Sequence, residues 1–356
     1  MNEDLLKKLP DNLESLLKQF RAGKRIALAR AISVIEGEHS CFQDFLHQVL
    51  DQGPRACRLG MTGPPGAGKS TLITALASMY RSQGDEVGIV AVDPTSPYSG
   101  GALLGDRIRM NDLSTDKGIF IRSMATRGSL GGLATTTKEV IDLMDAFGLY
   151  RLMVETVGVG QTELEITRAT DTIVVVLVPE SGDGIQAMKA GLMEIADIFV
   201  INKADRPGAD RLIKDLQAAL HLRAGKALGN VPAHHGVDMS RLDIKSHTSK
   251  DPEVEQKHSW EIPVLKTVAQ TGEGVPELMA AIDAHRTFLS ESGELITRRR
   301  ARASVRVREV VNRELQGILW GSDNTTVILQ EGLDRIQEGE ATHYSISSAI
   351  LKDLLD

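Results

Sequence analysis

The feature that most constrains this chain is the string GPPGAGKS at 63–70. It matches the phosphate-binding loop pattern G-x-x-x-x-G-K-[ST]. An apolar segment at 56–62 precedes the string, and apolar residues at helical spacing follow it over 71–82. Strand, glycine loop and helix form the context that this motif requires. The sequence therefore predicts a loop whose backbone N–H groups bind the phosphates of a nucleotide, helped by the positive end of a helix.

The loop residues have separate expected roles. Lys69 is expected to reach the β- and γ-phosphates, and Ser70 is expected to bind Mg²⁺. The predicted nucleotide-binding set contains the whole motif and the next residue, namely Gly63, Pro64, Pro65, Gly66, Ala67, Gly68, Lys69, Ser70 and Thr71.

Short apolar segments alternate with helical patterns from residue 56 onward. They predict strands at 56–62, 87–92, 119–122, 150–154, 172–178, 198–201 and 264–268. Several of these are continuous apolar runs, which are typical of a sheet that is covered on both faces. We therefore expect the fold class to be α/β, with a doubly wound, mostly parallel sheet. Ligands of such sheets bind beyond the carboxyl ends of the strands.

The remainder of the chain is expected to be helical. Apolar stripes at helical spacing near the start of the chain predict an N-terminal helical extension. Further helices are expected at 276–289 and 346–355. We expect an extension at 1–52, a nucleotide-binding domain at 53–290 and a helical arm at 291–356. The arm is too short for a core of its own, so it must pack on the domain or on another subunit.

Acidic residues follow several of the predicted strands. Asp93 comes directly after one strand and Asp106 lies in the glycine-rich segment beyond it. Each is a candidate Mg²⁺ ligand, although an ordinary turn or loop explains either residue alone. Glu155 ends another apolar strand and Gly158 follows it. This pair predicts a carboxylate near Mg²⁺ and a glycine N–H near the γ-phosphate.

A glycine-containing loop at 178–189 follows the most apolar strand. Because it lies on the ligand edge, it is interpreted as a moving switch segment, with an ordinary loop as the alternative. The polar residues assigned to this switch are Glu180, Asp183, Gln186 and Lys189. The candidate catalytic residues of the whole chain are Lys69, Asp106, Glu155 and Lys189.

The string N-K-x-D occurs at the end of the strand predicted at 198–201. A carboxylate in this position accepts hydrogen bonds from N1 and N2 of guanine, whereas adenine offers no such pair of donors. Asp205 is therefore expected to select guanine, and the loop after the last strand is expected to close over the base. The predicted base-binding set is Asn202, Lys203, Asp205, Val268, Ala269 and Gln270.

The composition argues against several other classes of protein. The net charge of −7 disfavours a nucleic-acid partner. The two cysteines, Cys41 and Cys57, cannot form a disulfide framework. No apolar run approaches the roughly 20 residues of a membrane span, and residues 1–10 lack the apolar stretch of a signal peptide. A cytoplasmic protein without a membrane partner is expected.

Several strings together resemble the G-proteins associated with methylmalonyl-CoA mutase, the MeaB/ArgK/MMAA family. They are GPPGAGKS, VDPTSP, LLGDRIRM, ETVGVGQTE, SGDGIQ with GLMEIAD, and NKAD. The resemblance implies a P-loop GTPase fold in which 178–189 is a switch that contacts the partner mutase. It also places Ser70, Asp93, Asp106 and Glu155 at Mg²⁺ and switch positions.

The resemblance implies a function as well. Such proteins use GTP to gate the delivery of adenosylcobalamin to an acyl-CoA mutase and to protect or reactivate that enzyme. GTP or GDP and Mg²⁺ are then expected on this chain. Cobalamin is expected on the partner, because the string at 283–288 lacks the glycine of the cobalamin motif D-x-H-x-x-G. A homodimer held by the C-terminal arm and a cobalamin adenosyltransferase as a second partner are also expected.

Two alternatives stay open at this point. GTPases that mature nickel enzymes share the core, but they carry Cys/His metal sites or histidine-rich tracts that this sequence lacks. A small-molecule kinase would normally take ATP, which N-K-x-D disfavours. The sequence departs from the family at Val268, where serine is usual, and at 223–260, which is longer than usual. The second departure leaves open whether the partner is methylmalonyl-CoA mutase or a relative.

Overall fold

The computed structural model describes residues 8–37, 41–50, 53–93, 113, 115–125, 135–156, 165–179, 190–223 and 260–355. The chain divides into two compact units, Met1–Leu295 and Ile296–Asp356. Among the described residues, none of the helices combines the length and the apolar composition needed to cross a lipid bilayer.

A seven-stranded sheet forms the centre of the first unit. Its strands are β1 (Cys57–Thr62), β2 (Val87–Asp93), β3 (Ile119–Ala125), β4 (Arg151–Thr156), β5 (Thr172–Leu177), β6 (Ile198–Asn202) and β7 (Val264–Thr267). Their spatial order is β3-β2-β4-β1-β5-β6-β7, and the neighbouring strands pair in parallel. The predicted α/β class with a doubly wound parallel sheet is confirmed.

Helices cover the sheet and form the C-terminal unit. In chain order the described helices are α1 (Asp11–Arg21), α2 (Arg25–Glu36), α3 (Phe42–Val49), α4 (Lys69–Ser82), α5 (Thr135–Phe147), α6 (Ala190–Ile195), α7 (Ala209–Arg223), α8 (Val275–Glu291), α9 (Glu294–Trp320), α10 (Asp323–Gln337) and α11 (His343–Leu355). Helix α4 begins at Lys69, because Gly68 takes the left-handed conformation directly before it.

Alternation along the strands separates two apolar faces of the sheet. On β4, Met153 packs in the cluster that contains residues of α4 and α8. Its neighbour Val154 packs in the opposite cluster, with residues of α5 and of the N-terminal helices α1 to α3. The rings of Phe20 on α1 and Phe147 on α5 meet edge to face with centroids 5.2 Å apart. The N-terminal helices therefore share a core with the sheet.

Charged residues form a network at the amino-terminal edge of the sheet. Arg151 at the start of β4 pairs with Asp85 over 2.8 Å and with Asp283 over 2.7 Å, and its guanidinium lies 4.2 Å from the centroid of the Tyr80 ring. Burial, followed by the nearby Asp283 carboxylate, raises the pKa of Tyr80. The tyrosine therefore stays protonated, and this edge is stabilised by ion pairs.

The C-terminal unit contains α10, α11 and most of α9. Helices α10 and α11 pack closely at Gly332, where an added Cβ would lie 2.7 Å from the Ile346 side chain. Among the side chains of α11 that the structure describes, Ile346 and Ile350 are the buried apolar ones. Helix α9 has no buried residue among those described, so its apolar side chains are exposed to different degrees.

Candidate nucleotide site

The phosphate loop connects the carboxyl end of β1 to the start of α4. Gly68 directly precedes the helix with φ of 89°, in the left-handed region. An added Cβ at Gly68 would lie 2.3 Å from Nδ2 of Asn202, closer than any real contact allows. A residue without a side chain is therefore required at this position, both by the backbone conformation and by the neighbouring amide.

Lys69 bends back over the phosphate loop. Its Nζ donates hydrogen bonds of 2.9 Å to the carbonyl oxygen of Gly63 and 3.0 Å to that of Pro64. Only 5% of the lysine is exposed, so the carbonyl groups compensate for part of the lost hydration of the ammonium. The arrangement holds a positive charge inside the loop, where the phosphates of a nucleotide would need it.

Ser70 and Glu155 meet between the loop and the neighbouring strand. Ser70 Oγ donates a 2.8 Å hydrogen bond to Oε1 of Glu155, and both side chains are buried. Glu155 comes from β4, which pairs with β1 in a register that sets Met61 beside Glu155. A hydroxyl and a carboxylate are oxygen donors of the kind that Mg²⁺ prefers. These two side chains therefore fit the metal that nucleotide binding implies.

One residue further along β4, a pair of hydroxyl groups joins this strand to β1. Thr156 Oγ1 donates a 3.0 Å hydrogen bond to Thr62 Oγ1, and neither residue is exposed to solvent. Sequence analysis missed this pair, since the residues are 94 positions apart in the chain. The only available signal was a threonine at the end of each of two apolar strands.

Asn202 connects the phosphate loop to the last strand. Its Nδ2 donates to the carbonyl oxygen of Ala67 over 2.8 Å, while its Oδ1 accepts from Thr267 Oγ1 and from the Ala269 N–H, each over 3.1 Å. Asn202 is 1% exposed, so these contacts take place in the interior. Thr267 is a further residue that sequence analysis missed, and its place near the end of the strand predicted at 264–268 was the available signal.

The two residues after Asn202 give the N-K-x-D segment its shape. Lys203 is the one residue other than glycine with positive φ among those described, at 57°. This turn allows the Ala204 N–H to donate to the Thr267 carbonyl oxygen over 3.0 Å. Asp205 is exposed, and it makes no hydrogen bond or ion pair with the part of the chain that the structure describes. Its carboxylate is therefore accessible at the carboxyl edge of β6.

The loop after β7 is held closed by its own backbone. The Val268 N–H donates to the Glu273 carbonyl oxygen over 2.9 Å, and the N–H groups of Thr271 and Gly272 donate to the Val268 carbonyl oxygen. Within this turn Ala269 is buried against Asn202 and Gln270 is exposed. The loop thus has a fixed shape beside the N-K-x-D segment.

The structure places the predicted residues that it describes on one edge of the sheet. Asp93 ends β2 on the carboxyl edge, and its side chain is outside the description. Six predicted residues lie outside the described ranges, namely Asp106, Gly158, Glu180, Asp183, Gln186 and Lys189. The described part of the site therefore consists of the phosphate loop, the end of β4 and the base-binding segments.

Comparisons with known proteins agree with this geometry. Residues 28–324 match the family described as methylmalonyl-CoA mutase-associated GTPase MeaB. A putative GTPase of Pyrococcus abyssi is 41% identical over 96% of this chain and 97% of its own length. The mitochondrial methylmalonic aciduria type A homolog of Mus musculus is 35% identical over 80% of this chain and 65% of its own length.

A solved structure shows the same fold. The crystal structure of an LAO/AO transport system kinase has a TM-score of 0.65 to this chain and covers 98% of it, and all of that chain is matched. The sequence identity of this pair is 23%, so the similarity concerns the fold alone.

Proposed function

Since the chain belongs to the family of methylmalonyl-CoA mutase-associated GTPases, we propose that it hydrolyses GTP to GDP and phosphate in the presence of Mg²⁺. We propose further that this cycle gates the delivery of adenosylcobalamin to an acyl-CoA mutase in the cytoplasm, and the protection or reactivation of that mutase. The partner is methylmalonyl-CoA mutase or a relative that acts on another acyl-CoA.

The observation that carries the proposal is the connection made by Asn202. One buried side chain contacts the phosphate loop at Ala67 and the base-binding loop at Ala269. A phosphate loop alone serves many nucleotides, whereas an exposed Asp205 beside it presents the carboxylate that guanine needs. The two sites are held at a fixed separation, as the binding of a single guanine nucleotide requires.

The described side chains support a division of roles in hydrolysis. Lys69 would bind the β- and γ-phosphates with the ammonium that the loop already holds. Ser70 and Glu155 would hold Mg²⁺, which supplies positive charge that stabilises the phosphates during transfer. The buried position of both groups keeps water out and strengthens these electrostatic interactions.

The proposal assigns the cobalamin to the partner and not to this chain. The histidine of the string at 283–288, His285, is fully buried. Its Nδ1 lies 2.9 Å from Thr172 Oγ1, and its Nε2 lies 3.3 Å from Asp197 Oδ1. A histidine that is packed in this way supports a structural role for the string.

We propose a homodimer formed by the C-terminal arm. Along α9 an exposed apolar stripe runs through Val307, Val311, Leu315 and Ile318, which are spaced by three or four residues and lie on one side of the helix. Val307 is 63% exposed and Ile318 is 61% exposed. An apolar stripe of this length is suited to burial against a second copy of the arm.

Residues that lie mostly outside the described ranges complete the proposal. The segment at 178–189, including Asp183 and Lys189, is proposed to contact the mutase and to accelerate hydrolysis together with Asp106. A group supplied or ordered by a partner is worth about 10³–10⁵ in rate in other GTPases. A cobalamin adenosyltransferase is proposed as the second partner, because it would supply the cofactor that is delivered.

The deciding experiment is single-turnover hydrolysis of GTP and of ATP, with and without candidate acyl-CoA mutases. Hydrolysis of GTP that is slow alone and faster with one mutase is the expected result. Equal use of ATP would favour a small-molecule kinase, and tight nickel binding would favour a nickel-enzyme maturation factor. If no mutase accelerates hydrolysis, or if Asp183→Ala and Lys189→Ala leave an acceleration unchanged, the proposed gating is wrong.

A further inference from the structure

Two hydrogen bonds hold the end of β4, one to the start of α4 and one to the end of β1. On one side Ser70, the last residue of the phosphate-loop motif and the second residue of α4, donates to Glu155 over 2.8 Å. On the other side Thr156 donates to Thr62 over 3.0 Å. Glu155 and Thr156 are consecutive, so their side chains leave the strand in opposite directions. A shift of the end of β4 away from β1 and from the phosphate loop that follows β1 would therefore break both bonds together.

The packing of the strands identifies the two sides. Met61, which is in register with Glu155, packs in the cluster that contains α4. Val92, which is in register with Thr156, packs in the cluster that contains α5. The threonine pair thus lies on the sheet face that carries α5, away from α4. The threonine bond and the Ser70–Glu155 bond therefore lie on opposite faces of the sheet.

Because the threonine pair is buried, its hydrogen bond favours one alignment of the ends of β1 and β4. Both residues have no solvent exposure. Neither hydroxyl has another hydrogen-bond partner among the residues that the structure describes. A buried hydroxyl that loses its partner carries an unfavourable desolvation cost, so the strand ends are held where the two oxygens meet.

We infer that Thr62 and Thr156 are positioning residues for the Mg²⁺-dependent step, an inference that rests on the proposed function. The pair holds the last residue of β4 against the residue that precedes the phosphate loop. Glu155 is thereby kept opposite Ser70, in the arrangement that would receive Mg²⁺. Neither threonine touches the nucleotide in this assignment.

The test separates positioning from plain stability by a set of valine variants, since valine keeps the shape of threonine and removes the hydroxyl. Thr62→Val and Thr156→Val each leave one buried hydroxyl without its partner, so both lower the unfolding temperature of the nucleotide-free protein. The Thr62→Val/Thr156→Val double variant removes both hydroxyls and regains most of that loss. Thr172→Val, whose hydroxyl lies beside His285 at the other end of the sheet, is the matched control.

The second readout is the affinity for GDP, measured by fluorescence with Mg²⁺ and with EDTA. We expect all three variants at Thr62 and Thr156 to weaken GDP binding in Mg²⁺ by about three- to tenfold, the factor that one hydrogen bond represents. Affinity in EDTA and the affinity of Thr172→Val stay at the wild-type value. The Mg²⁺-dependent loss persists in the double variant even though its unfolding temperature recovers.

Three outcomes overturn the inference. If the double variant regains wild-type affinity in Mg²⁺ along with its stability, the pair is only structural. The same conclusion follows if Thr172→Val loses as much Mg²⁺-dependent affinity as the other variants. If the wild-type protein binds no guanine nucleotide at all, the proposed function fails and the inference fails with it.

Discussion

The side-chain amide of Asn202 donates a 2.8 Å hydrogen bond to the backbone carbonyl of Ala67, inside the phosphate loop. The same side chain accepts hydrogen bonds from Thr267 and from the Ala269 backbone. The first residue of N-K-x-D is therefore a support for both halves of the site. Asp205, the last residue of the motif, is exposed, and its proposed role is to bind the guanine base.

Replacement of Asn202 by alanine should destabilise the protein as well as weaken nucleotide binding. The change leaves the Thr267 hydroxyl and the Ala269 N–H without their buried acceptor. We expect a loss of about 2–4 kcal/mol in the free energy of unfolding, the cost of such unpaired groups. Urea denaturation of the nucleotide-free protein measures it, and an unchanged midpoint would contradict the supporting role.

Asp205→Asn should weaken guanine binding and leave the fold intact. Its carboxylate is exposed and bonds to no described residue, so the free protein loses nothing. The free energy of GDP binding should become less favourable by about 1.5–3 kcal/mol, as for the loss of hydrogen bonds to a charged group. Xanthosine diphosphate should bind better to the variant than GDP does. Calorimetric titration of both nucleotides tests this, and equal affinity of the wild type for ATP and GTP would refute base selection.

A comparison of two glycines should reveal which one is confined by its surroundings. Gly66 and Gly68 both have positive φ, but an added Cβ at Gly66 meets nothing within 4 Å. Gly66→Ala should therefore lower stability by about 1–2 kcal/mol, the strain of the left-handed conformation. Gly68→Ala also drives a methyl group into the Asn202 amide, so it should abolish GDP binding. Similar affinities for the two variants would show that the clash is relieved.

Lys69→Ala and Ser70→Ala should abolish Mg²⁺-dependent hydrolysis of GTP. The ammonium of Lys69 and the hydroxyl of Ser70 contact loop carbonyls and Glu155, not the apolar core. Far-ultraviolet circular dichroism should therefore match that of the wild type. Phosphate release at saturating GTP is the measurement, and wild-type turnover in either variant would disprove the assigned roles.

The main elements of the fold could be predicted because each follows from a local pattern. The continuous apolar run of β5 is explained by the burial of every residue from Thr172 to Leu177. The parallel order followed from the alternation of strands with helices. The start of α4 at Lys69 was less predictable, since it depends on the conformation of Gly68.

The contacts inside the site could not be predicted from local patterns. The Thr62–Thr156 and Asn202–Thr267 hydrogen bonds join residues that are 94 and 65 positions apart. Such bonds depend on the order and register of strands, which periodicity does not determine. The motifs showed which residues reach the carboxyl edge, whereas the structure shows that Asn202 contacts protein groups on both sides.

Leu315→Asp should convert the proposed dimer into monomers. Leu315 is 48% exposed on α9 and lies on the same side of the helix as Val311 and Ile318. A carboxylate in the middle of this stripe would have to be buried in the dimer without a partner, which is strongly unfavourable.

Gln316→Asp is the matched control, because it adds the same charge to the next residue, which points away from the stripe. Light scattering after size-exclusion chromatography, over a range of concentrations, should give a monomer for Leu315→Asp and a dimer for Gln316→Asp. GDP affinity should be unchanged in both variants, because the phosphate loop and Asp205 lie in the other unit. A wild-type monomer at every concentration, or equal masses for the two variants, would mean that this stripe is not the dimer interface.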